Sequence, residues 1–362
     1  MKLGSITKIR TGKLDANAAS DDGQYPFFTC SQDILRISTY SYDCECVLVA
    51  GNGDLNVKYY NGKFDAYQRT YIIENNFDSN LSMRYLYYFL KRYVHTLRKQ
   101  SIGGVIKYIK LENLTEADLP LPKINIQNEI VEKLDRISEI IIKQNQQLAK
   151  LDTLVKSRFI EMFGDPVTNP MGWEVKKLKD ISRKISDGVH AKPEYTGEGK
   201  PFLSVVNINK GKVDFSNCKF VSQSDYEKMI KSTNPEKGDV LYTKVGATYG
   251  IPAYVDTDEK FCLYVSVCLI KPRHELVNAR FLTESMRLPY IKHQADRRIR
   301  GIGVPDLHLN QISEFDVLCP PMELQERYID FVTQVDKSKS VLQKLLEKQE
   351  LLRAALMQEY FG

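Results

Sequence analysis

Residues 127–164 read QNEIVEKLDRISEIIIKQNQQLAKLDTLVKSRFIEMFG, and the chain repeats this segment as residues 325–362, which read QERYIDFVTQVDKSKSVLQKLLEKQELLRAALMQEYFG. The two copies align without a gap at a single offset of 198, so that Leu134 corresponds to Val332 and Phe163 to Phe361. A duplication of this length predicts a pseudo-symmetric molecule, and such a molecule usually faces a two-part partner.

Both copies have the apolar spacing of a long helix that packs along a narrow seam. Apolar residues recur in steps of four and three, and Gln144 and Arg158 occupy the two missed turns of the first copy. About 36 residues at 1.5 Å each give a rod of roughly 54 Å. We expect the two rods to pair antiparallel, with the globular parts at opposite ends, although each helix could instead pack on its own globular part. The predicted seam consists of Ile130, Leu134, Ile137, Ile141, Leu148, Leu151, Val155, Val332, Val335, Leu342, Leu345, Leu352 and Leu356.

The sequence before each long helix has the mixed pattern of an α+β domain. Short apolar runs such as 46–50 and 261–265 are predicted strands, separated by turns rich in Gly, Asn and Asp. Helices are predicted over 79–98, 223–231 and 278–295. The predicted fold class is therefore α+β, with two mixed α/β domains separated by two long antiparallel helices in a pseudo-two-fold repeat. The predicted segments are a first domain at 1–123, a long helix at 124–164, a linker at 165–176, a second domain at 177–320 and a second long helix at 321–362.

Composition places the chain among soluble globular proteins. Hydrophobic residues make up 43% of the sequence and charged residues 27%. No apolar stretch is long enough to span a bilayer, and the first residues lack the apolar core of a signal peptide. The seven cysteines form no C-x-x-C pair, and this odd number of thiols fits a reducing compartment. We therefore expect a cytoplasmic protein without membrane contact.

Basic residues are concentrated at equivalent places of the two copies. From Ser79 to Leu111 the chain has seven basic residues and no acid, and the matching stretch of the second copy is also basic apart from Asp296. One basic run is usually a solvated surface, but two equivalent runs before Gly-rich turns predict surfaces that face phosphates. The candidate phosphate contacts are Lys63, Arg98, Lys99, Lys107, Arg297, Arg298 and Arg300.

Two turn-rich segments supply side chains that can read bases. The first runs from Gly51 to Lys63, and Thr243 to Gly250 follows at the corresponding place of the second copy. Arg, Lys, Asn and Gln are able to pair with base edges in the major groove, although ordinary hairpin turns also expose polar side chains. The candidate base-reading residues are Asn52, Asn56, Lys58, Gln68, Arg69, His190, Lys192, Thr243, Lys244 and Thr248.

Motifs for catalysis and cofactor binding are missing from the sequence. The run from Val47 to Gly53 imitates a dinucleotide loop but lacks its third glycine, and no phosphate-binding G-x-x-x-x-G-K-[ST] loop occurs. Asp165 and Glu174 imitate a metal-nuclease set, yet they fall in the predicted linker, where carboxylates are usually solvated charges. The five histidines lack zinc-ligand spacing. We predict no catalytic residue, no metal site and no cofactor bound by this chain.

The organisation resembles the specificity (S) subunit of type I restriction–modification systems over essentially the whole chain. In the first domain, Ala50-Gly51-Asn52-Gly53 through Arg69-Thr70-Tyr71 is similar to one type of target recognition domain. In the second, Asp187-Gly188-Val189-His190 and the run from Gly238 to Thr248 are similar to another. Helices that begin after proline and end in Phe-Gly complete the resemblance.

This resemblance implies a division of labour. Each recognition domain would read one half of a bipartite, asymmetric double-stranded DNA target, and the helices would set the spacing between the halves. The S subunit would be non-catalytic and would recruit two methyltransferase (M) subunits that use S-adenosylmethionine to methylate adenine. Restriction and motor (R) subunits would add ATP- and Mg-dependent activities to the complex. Since the chain begins directly in the first recognition domain, unlike the family pattern, the duplicated helices would supply both docking surfaces for the M subunits.

Two further readings remain at this point. A stand-alone DNA-binding regulator would bind tightly without partner subunits, and an enzyme would act without them.

Overall fold

A computed structural model of the chain describes residues 1–76, 80–299 and 303–362. The chain divides into two compact units, of which unit 1 comprises Met1–Gln147 with Leu342–Gly362 and unit 2 comprises Leu148–Val341. This division cuts through both long helices. Unit 1 therefore contains the first globular domain, the beginning of the first long helix and the end of the second. Unit 2 contains the end of the first long helix, the second globular domain and the beginning of the second long helix.

Unit 1 is built on a six-stranded sheet with strand order β1-β6-β4-β5-β2-β3. Neighbouring strands are antiparallel except β5 and β2, which run parallel. The elements are helix α1 (Leu3–Ile6), strands β1 (Thr7–Thr11), β2 (Tyr25–Phe28), β3 (Leu35–Ile37), β4 (Tyr42–Ala50), β5 (Val57–Ala66) and β6 (Thr70–Asn75), then helices α2 (Met83–Gln100), α3 (Leu111–Thr115) and α4 (Ile124–Phe163).

Helix α2 covers one face of this sheet because its apolar side chains fall on one side. Leu86, Leu90 and Leu97 are fully buried, whereas Lys91 and Lys99 on other positions are exposed. The Ser82 side chain caps the helix by accepting from the Tyr85 N–H at 3.4 Å. The basic run identified in the sequence is thus partly the outer side of a core-packing helix.

Unit 2 contains two main sheets, of order β12-β11-β14-β8 and β10-β9-β13, and a two-stranded pair of β15 and β7. The elements are β7 (Val175–Lys177), β8 (Ser182–Asp187), β9 (Lys200–Leu203), β10 (Lys219–Val221), α5 (Gln223–Met229), β11 (Val240–Thr243), β12 (Pro252–Tyr254), β13 (Cys262–Leu263), β14 (Val267–Pro272), α6 (Ala279–Met286), α7 (Pro289–Asp296), α8 (Leu309–Ile312), β15 (Asp316–Leu318) and α9 (Met322–Phe361).

The helix predicted over 278–295 is two helices, so that prediction is wrong in its continuity. The break falls before Pro289, the first residue of α7. Proline lacks the N–H that a continuing helix would need and is well tolerated at a helix start. The α+β fold class predicted for the chain is confirmed by this mixture of helices and sheets.

The two domains share one strand arrangement. The pairs β1–β6, β6–β4 and β4–β5 of unit 1 correspond to β8–β14, β14–β11 and β11–β12 of unit 2, all antiparallel. The parallel pair of β2 and β5 corresponds to the parallel pair of β9 and β13. The sequence duplication seen in the helices therefore extends to the topology of the domains.

The long helices α4 and α9 contain 40 residues each. In unit 2 they run antiparallel, since Asp152 pairs with Lys339 at 2.6 Å while the Tyr328 hydroxyl donates to the Val155 carbonyl at 3.3 Å. Most predicted seam residues are buried or half-buried. The buried ones are Ile130, Leu134, Ile137, Ile141, Val155, Val332 and Val335, and the half-buried ones are Leu148, Leu151, Leu342 and Leu356.

Two seam predictions are wrong. Leu345 is 41% exposed and Leu352 is 47% exposed, whereas the adjacent Leu346 and Arg353 are half-buried. At each place the neighbouring residue can take the seam position instead. A heptad pattern allows apolar steps of four then three residues as readily as three then four, and therefore it does not decide between the neighbours. The aliphatic stem of Arg353 is able to cover apolar surface while its charged end stays in water.

In the described part of the chain, no helix has the length and apolar character needed to cross a membrane.

Candidate nucleic-acid interface

Each unit places a turn beside a loop by the same pair of backbone hydrogen bonds. In unit 1 the Gly53 N–H donates to the Lys107 carbonyl and the Ile109 N–H donates to the Gly51 carbonyl, both at 2.9 Å. These bonds join the turn after β4 to the loop before α3. We call the turn residues 51–56 and the loop residues 101–109 the unit 1 edge.

Unit 2 repeats this arrangement after β11. The Gly246 N–H donates to the Pro305 carbonyl and the Leu307 N–H donates to the Lys244 carbonyl, again both at 2.9 Å. We call residues 244–250 and 303–308 the unit 2 edge. Because both edges rest on the same backbone bonds, differences between their side chains provide a means to recognise different ligands on one scaffold.

A glycine directly follows strand β1 in unit 1 and strand β8 in unit 2, and at each place the backbone of another segment passes very close. A Cβ atom on Gly12 would lie 2.2 Å from the Ala66 carbonyl oxygen, and one on Gly188 would lie 2.2 Å from the Leu263 carbonyl oxygen. Backbone atoms at that distance leave no room for any side chain. Gly188 belongs to one of the sequence strings quoted for the resemblance, and Gly12 has the equivalent structural role in unit 1.

The base-reading candidates of unit 1 separate into exposed and internal groups. Gln68 and Arg69 are exposed and Asn52 is half-buried. Asn56 is buried and its amide donates to the Cys30 and Asp54 carbonyls at 2.8 and 3.0 Å. These bonds fix the turn and leave Asn56 unavailable for bases, so its prediction is wrong.

Lys58 ties the turn of the unit 1 edge to Ser31. Its amine donates to the Ser31 carbonyl at 2.6 Å and contacts the Asn56 side chain. Burial lowers the pKa of Lys58, because a charged amine loses hydration there. Direct base contact by Lys58 would require these bonds to break.

The phosphate candidates of unit 1 include one side chain with a structural role. Arg98 donates to the Asp54 carboxylate at 3.0 Å and to the Leu55 carbonyl at 3.1 Å, and so ties α2 to the turn. Hydrogen bonds from Gln32 and then from Arg98 lower the pKa of Asp54. The remaining candidates Lys63, Lys99 and Lys107 are exposed.

In unit 2 the sequence placed two base-reading candidates at positions that are internal. Thr243 is fully buried, and its hydroxyl donates to the Thr248 carbonyl at 2.7 Å while accepting from the Ile251 N–H at 2.8 Å. Lys244 is 4% exposed. Both predictions are wrong, since neither side chain reaches solvent.

Lys244 forms an ion cluster with Asp187, which is mostly buried, and with Asp306, which is half-exposed. Its amine lies 3.5 Å from Asp187 and 3.5 Å from Asp306, which joins β8 to the loop of the unit 2 edge. Burial raises the pKa of Asp187, and Lys244 opposes that rise. The exposed base-reading candidates that remain here are His190, Lys192 and Thr248.

The phosphate candidates of unit 2 differ in whether their side chains are free to bind a ligand. Arg298 donates to the Gln294 and Glu314 carbonyls at 2.8 and 3.2 Å, and its guanidinium lies 5.5 Å from the Phe315 ring centre. It is therefore engaged within the domain. Arg297 is exposed. Arg300 lies outside the described residues.

Sequence reasoning missed a glutamine that attaches each domain to its long helix. Gln127 is fully buried, accepts from the Ser82 N–H at 2.9 Å and donates to the Asn80 and Pro122 carbonyls, both at 2.8 Å. Gln325 likewise accepts from the Asn278 N–H at 2.9 Å and donates to the Pro320 carbonyl at 2.8 Å. The signal was present, because both glutamines open the repeated segment.

In each unit an arginine of the globular domain also binds the long helix. Arg84 binds the Asp135 carboxylate through two nitrogens, at 2.6 and 3.1 Å. Arg280 contacts Thr333 at 3.2 Å and Asp336 at 3.4 Å on α9. Two parallel bonds to one carboxylate are stronger than separate single contacts, so the unit 1 attachment is the better paired of the two.

The nuclease-like carboxylates of the linker region bind partners that are close to them in sequence. Asp165 accepts from the Val167 N–H at 2.8 Å, and Glu174 pairs with Lys176 at 3.3 Å. Among the residues that the structure describes, no group of three or more His, Cys, Asp or Glu side chains could hold a metal ion.

The family model of the type I restriction modification DNA specificity domain matches residues 1–153 and 170–353. The chain belongs to this family. The match covers both globular domains and most of each long helix, so the duplication and the shared strand topology are features of one family domain present twice.

Individual relatives agree with this assignment. The chain is 38% identical over 156 residues to the EcoDI specificity subunit of Escherichia coli, an alignment that covers 43% of this chain and 34% of that protein. It is 21% identical to the MjaVIII specificity subunit of Methanocaldococcus jannaschii, with 99% of this chain and 90% of that protein covered. The EcoDI match thus spans about a third of that relative's length.

Solved structures share the fold. The type I restriction–modification S subunit from M. genitalium aligns over 100% of this chain and 95% of its own, with a TM-score of 0.65 and 17% identity. A structure from a study of type I complex assembly and conformational transition aligns with a TM-score of 0.58 and 15% identity, covering 100% and 96%.

Proposed function

We propose that this chain selects the DNA target of a type I restriction–modification complex and is itself non-catalytic. The observation that carries this proposal is the pair of edges. They rest on matching backbone bonds yet differ at equivalent positions, where Gly51 and Asn52 of unit 1 correspond to Lys244 and Val245 of unit 2. Each domain then reads one half of a bipartite, asymmetric double-stranded target.

The candidates that remain exposed or half-buried divide between sequence reading and backbone contact. Asn52, Gln68 and Arg69 would read bases for unit 1, and His190, Lys192 and Thr248 would read them for unit 2, because amides, guanidinium groups and hydroxyls are able to pair with base edges. Exposed cations would hold the duplex through its phosphates. This second set consists of Lys63, Lys99, Lys107 and Arg297.

The long helices would serve spacing and assembly. A continuous helix of 40 residues is about 60 Å long, well above one turn of DNA. Leu345, Leu351 and Leu352 are exposed on α9, and Leu154 and Ile160 are exposed on α4. Apolar side chains of this kind suit helix-packing partners. We propose that two methyltransferase subunits dock on these helices.

Partner subunits would carry the chemistry. Methyltransferase subunits would bind S-adenosylmethionine and methylate adenine, and restriction subunits would use ATP and Mg. This chain would bind none of these cofactors. The complex would work in the cytoplasm, where its DNA lies.

Methylation mapping of cells that carry the locus tests the proposal. The expected result is one split adenine motif, which disappears when the gene is deleted and returns with the intact gene. The double variant Gln68→Ala with Arg69→Ala should relax only one half of the motif. The double variant His190→Ala with Lys192→Ala should relax only the other half. Unchanged methylation on deletion would contradict the proposal, and tight specific binding by the isolated chain would favour a stand-alone regulator.

A further inference from the structure

Both edges expose an aliphatic side chain at the same place in their loop. Ile106 is 63% exposed and Val304 is 74% exposed. The two positions are equivalent, because the next residues, Lys107 and Pro305, accept the matching hydrogen bonds from the turn glycines at 2.9 Å. In unit 1 the preceding Val105 is fully exposed as well. We call Ile106 and Val304 the apolar tips.

The apolar tips have no packing role in the described structure. Neither side chain belongs to any of its hydrophobic core clusters. One exposed aliphatic residue is ordinary on a protein surface. Two at equivalent positions call for a shared reason, because the following loop residues differ completely, with Lys107 and Tyr108 in unit 1 against Pro305 and Asp306 in unit 2.

The unit 1 tip is held in a defined hairpin. Ile102 and Tyr108 exchange two backbone hydrogen bonds, at 3.0 and 2.9 Å. Gly103 has a φ of +113°, and a Cβ atom there would lie 2.6 Å from the Ile106 carbonyl oxygen, so only glycine fits. A fixed loop presents its side chain without the entropy cost of ordering on binding.

We propose that Ile106 and Val304 each make a direct apolar contact with DNA bases, which adds affinity without selecting the sequence. This inference rests on the proposed function. Proteins that bind the minor groove of DNA frequently insert an apolar side chain between base steps. An aliphatic side chain has no donor or acceptor, and therefore the same residue type can serve two domains that read different sequences.

Binding by the complex with its methyltransferase partners tests the tips. The probe is a fluorescent duplex that carries the split motif found by methylation mapping. We expect Ile106→Asn and Val304→Asn each to weaken binding on the order of tenfold, the size expected from losing burial of about two methyl or methylene groups. The dependence of affinity on salt should not change, because an apolar side chain releases no counterions.

Conservative and control variants separate contact from folding. Ile106→Leu should keep wild-type affinity, since it retains the aliphatic volume. Val167→Asn is the matched control for Val304→Asn, because Val167 is 73% exposed on the linker and belongs to neither edge, and its change should leave binding unaltered. All variants should unfold at the wild-type temperature, because every side chain changed is exposed.

Three results would overturn the inference. They are wild-type affinity in both tip variants, an altered salt dependence that implicates charges, and an equal loss in the control. Failure of the proposed function would look different, because the unsubstituted complex would then show no sequence preference. In that case the binding experiment is repeated with a duplex of random sequence. The two tip variants should again lose about tenfold in affinity, because the proposed contact does not select bases.

Discussion

The two globular domains share a strand order but build one strand differently. In unit 1 the single strand β5 pairs with β4 through Val57–Phe64 and then with β2 through Asp65 and Ala66. In unit 2 the same two pairings belong to separate strands, β12 and β13. One six-stranded sheet thereby corresponds to a four-stranded and a three-stranded sheet.

This difference shows which parts of the domain are constrained. The pairings, the glycines that pass close to the sheet and the glutamine attachments recur in both units. Strand length and the side chains of the edges do not recur. A domain that must attach to its helix in one way and recognise ligands in many ways would be expected to vary in this manner.

The largest expected effect concerns the aromatic ends of the long helices. Phe163 packs against Phe281 with ring centres 5.3 Å apart, and Phe361 packs against Tyr85 at 5.1 Å. Phe163 is fully buried and Phe361 is 9% exposed. Phe163→Ala should therefore destabilise unit 2 by about 3–5 kcal/mol, and Phe361→Ala should destabilise unit 1 by less.

Hydrogen exchange of the two units measures these losses separately, and Ile160→Ala on the exposed side of α4 is the control. An equal loss in both variants would contradict the inferred difference in burial.

The ion cluster of unit 2 has no counterpart in unit 1, because the position equivalent to Lys244 is Gly51. Removal of the Lys244 cation should therefore lower the stability of unit 2 alone. Lys244→Met leaves the Asp187 carboxylate buried without its cation, a change that we expect to cost roughly 2–4 kcal/mol. Burial already raises the pKa of Asp187, so the folded chain holds a proton that the unfolded chain releases between the two pKa values. Stability contributed by this carboxyl therefore falls as pH rises through that window.

It follows that the loss in Lys244→Met should shrink as pH is lowered, because Asp187 then becomes neutral. Chemical denaturation at several pH values checks this expectation, and Lys210→Met, an exposed lysine, serves as the control. A loss that does not depend on pH would show that packing, and not the unpaired carboxylate, dominates.

The glutamine attachments are present in both units, and therefore the loss of either one should lower the stability of its unit by a similar amount. Gln127→Leu and Gln325→Leu each leave a buried N–H and buried carbonyls without partners, at a cost of about 1–3 kcal/mol. Thermal unfolding of the two variants measures the effect, and Gln146→Leu on exposed helix surface is the control. Unequal losses would weaken the inference that the attachments are equivalent.

Comparison of the units also explains how far the sequence could lead. The repeat predicted the long helices because an uninterrupted heptad pattern has few alternative structures. The strand order was not predictable, since short apolar runs do not specify their neighbours. Thr243 and Lys244 looked like base-reading residues because loop position was inferred from composition. Burial depends on contacts such as those with Asp187 and Asp306, which are distant in sequence. The neighbouring leucines at 345 and 346 left the seam ambiguous for the same reason.

The smallest expected effect distinguishes a free cation from one engaged in structure. Lys107 is exposed at the unit 1 edge, whereas Arg298 is bonded to two carbonyls and stacked near Phe315. If Lys107 contacts a phosphate, Lys107→Gln should weaken DNA binding by the complex evenly across sequences and reduce the salt slope by about one. Arg298→Gln should instead lower the stability of unit 2, with the salt slope unchanged, because its guanidinium already serves the domain.

Titration of a duplex at several salt concentrations, together with thermal unfolding, assigns each residue to one behaviour. Lys150→Gln is the control, because it removes one positive charge from the exposed side of α4, where no DNA contact is proposed. A reduced salt slope in Arg298→Gln with normal stability would mean that this arginine leaves its carbonyl partners to bind a phosphate. The two units would then hold DNA by more similar means than their resting contacts indicate.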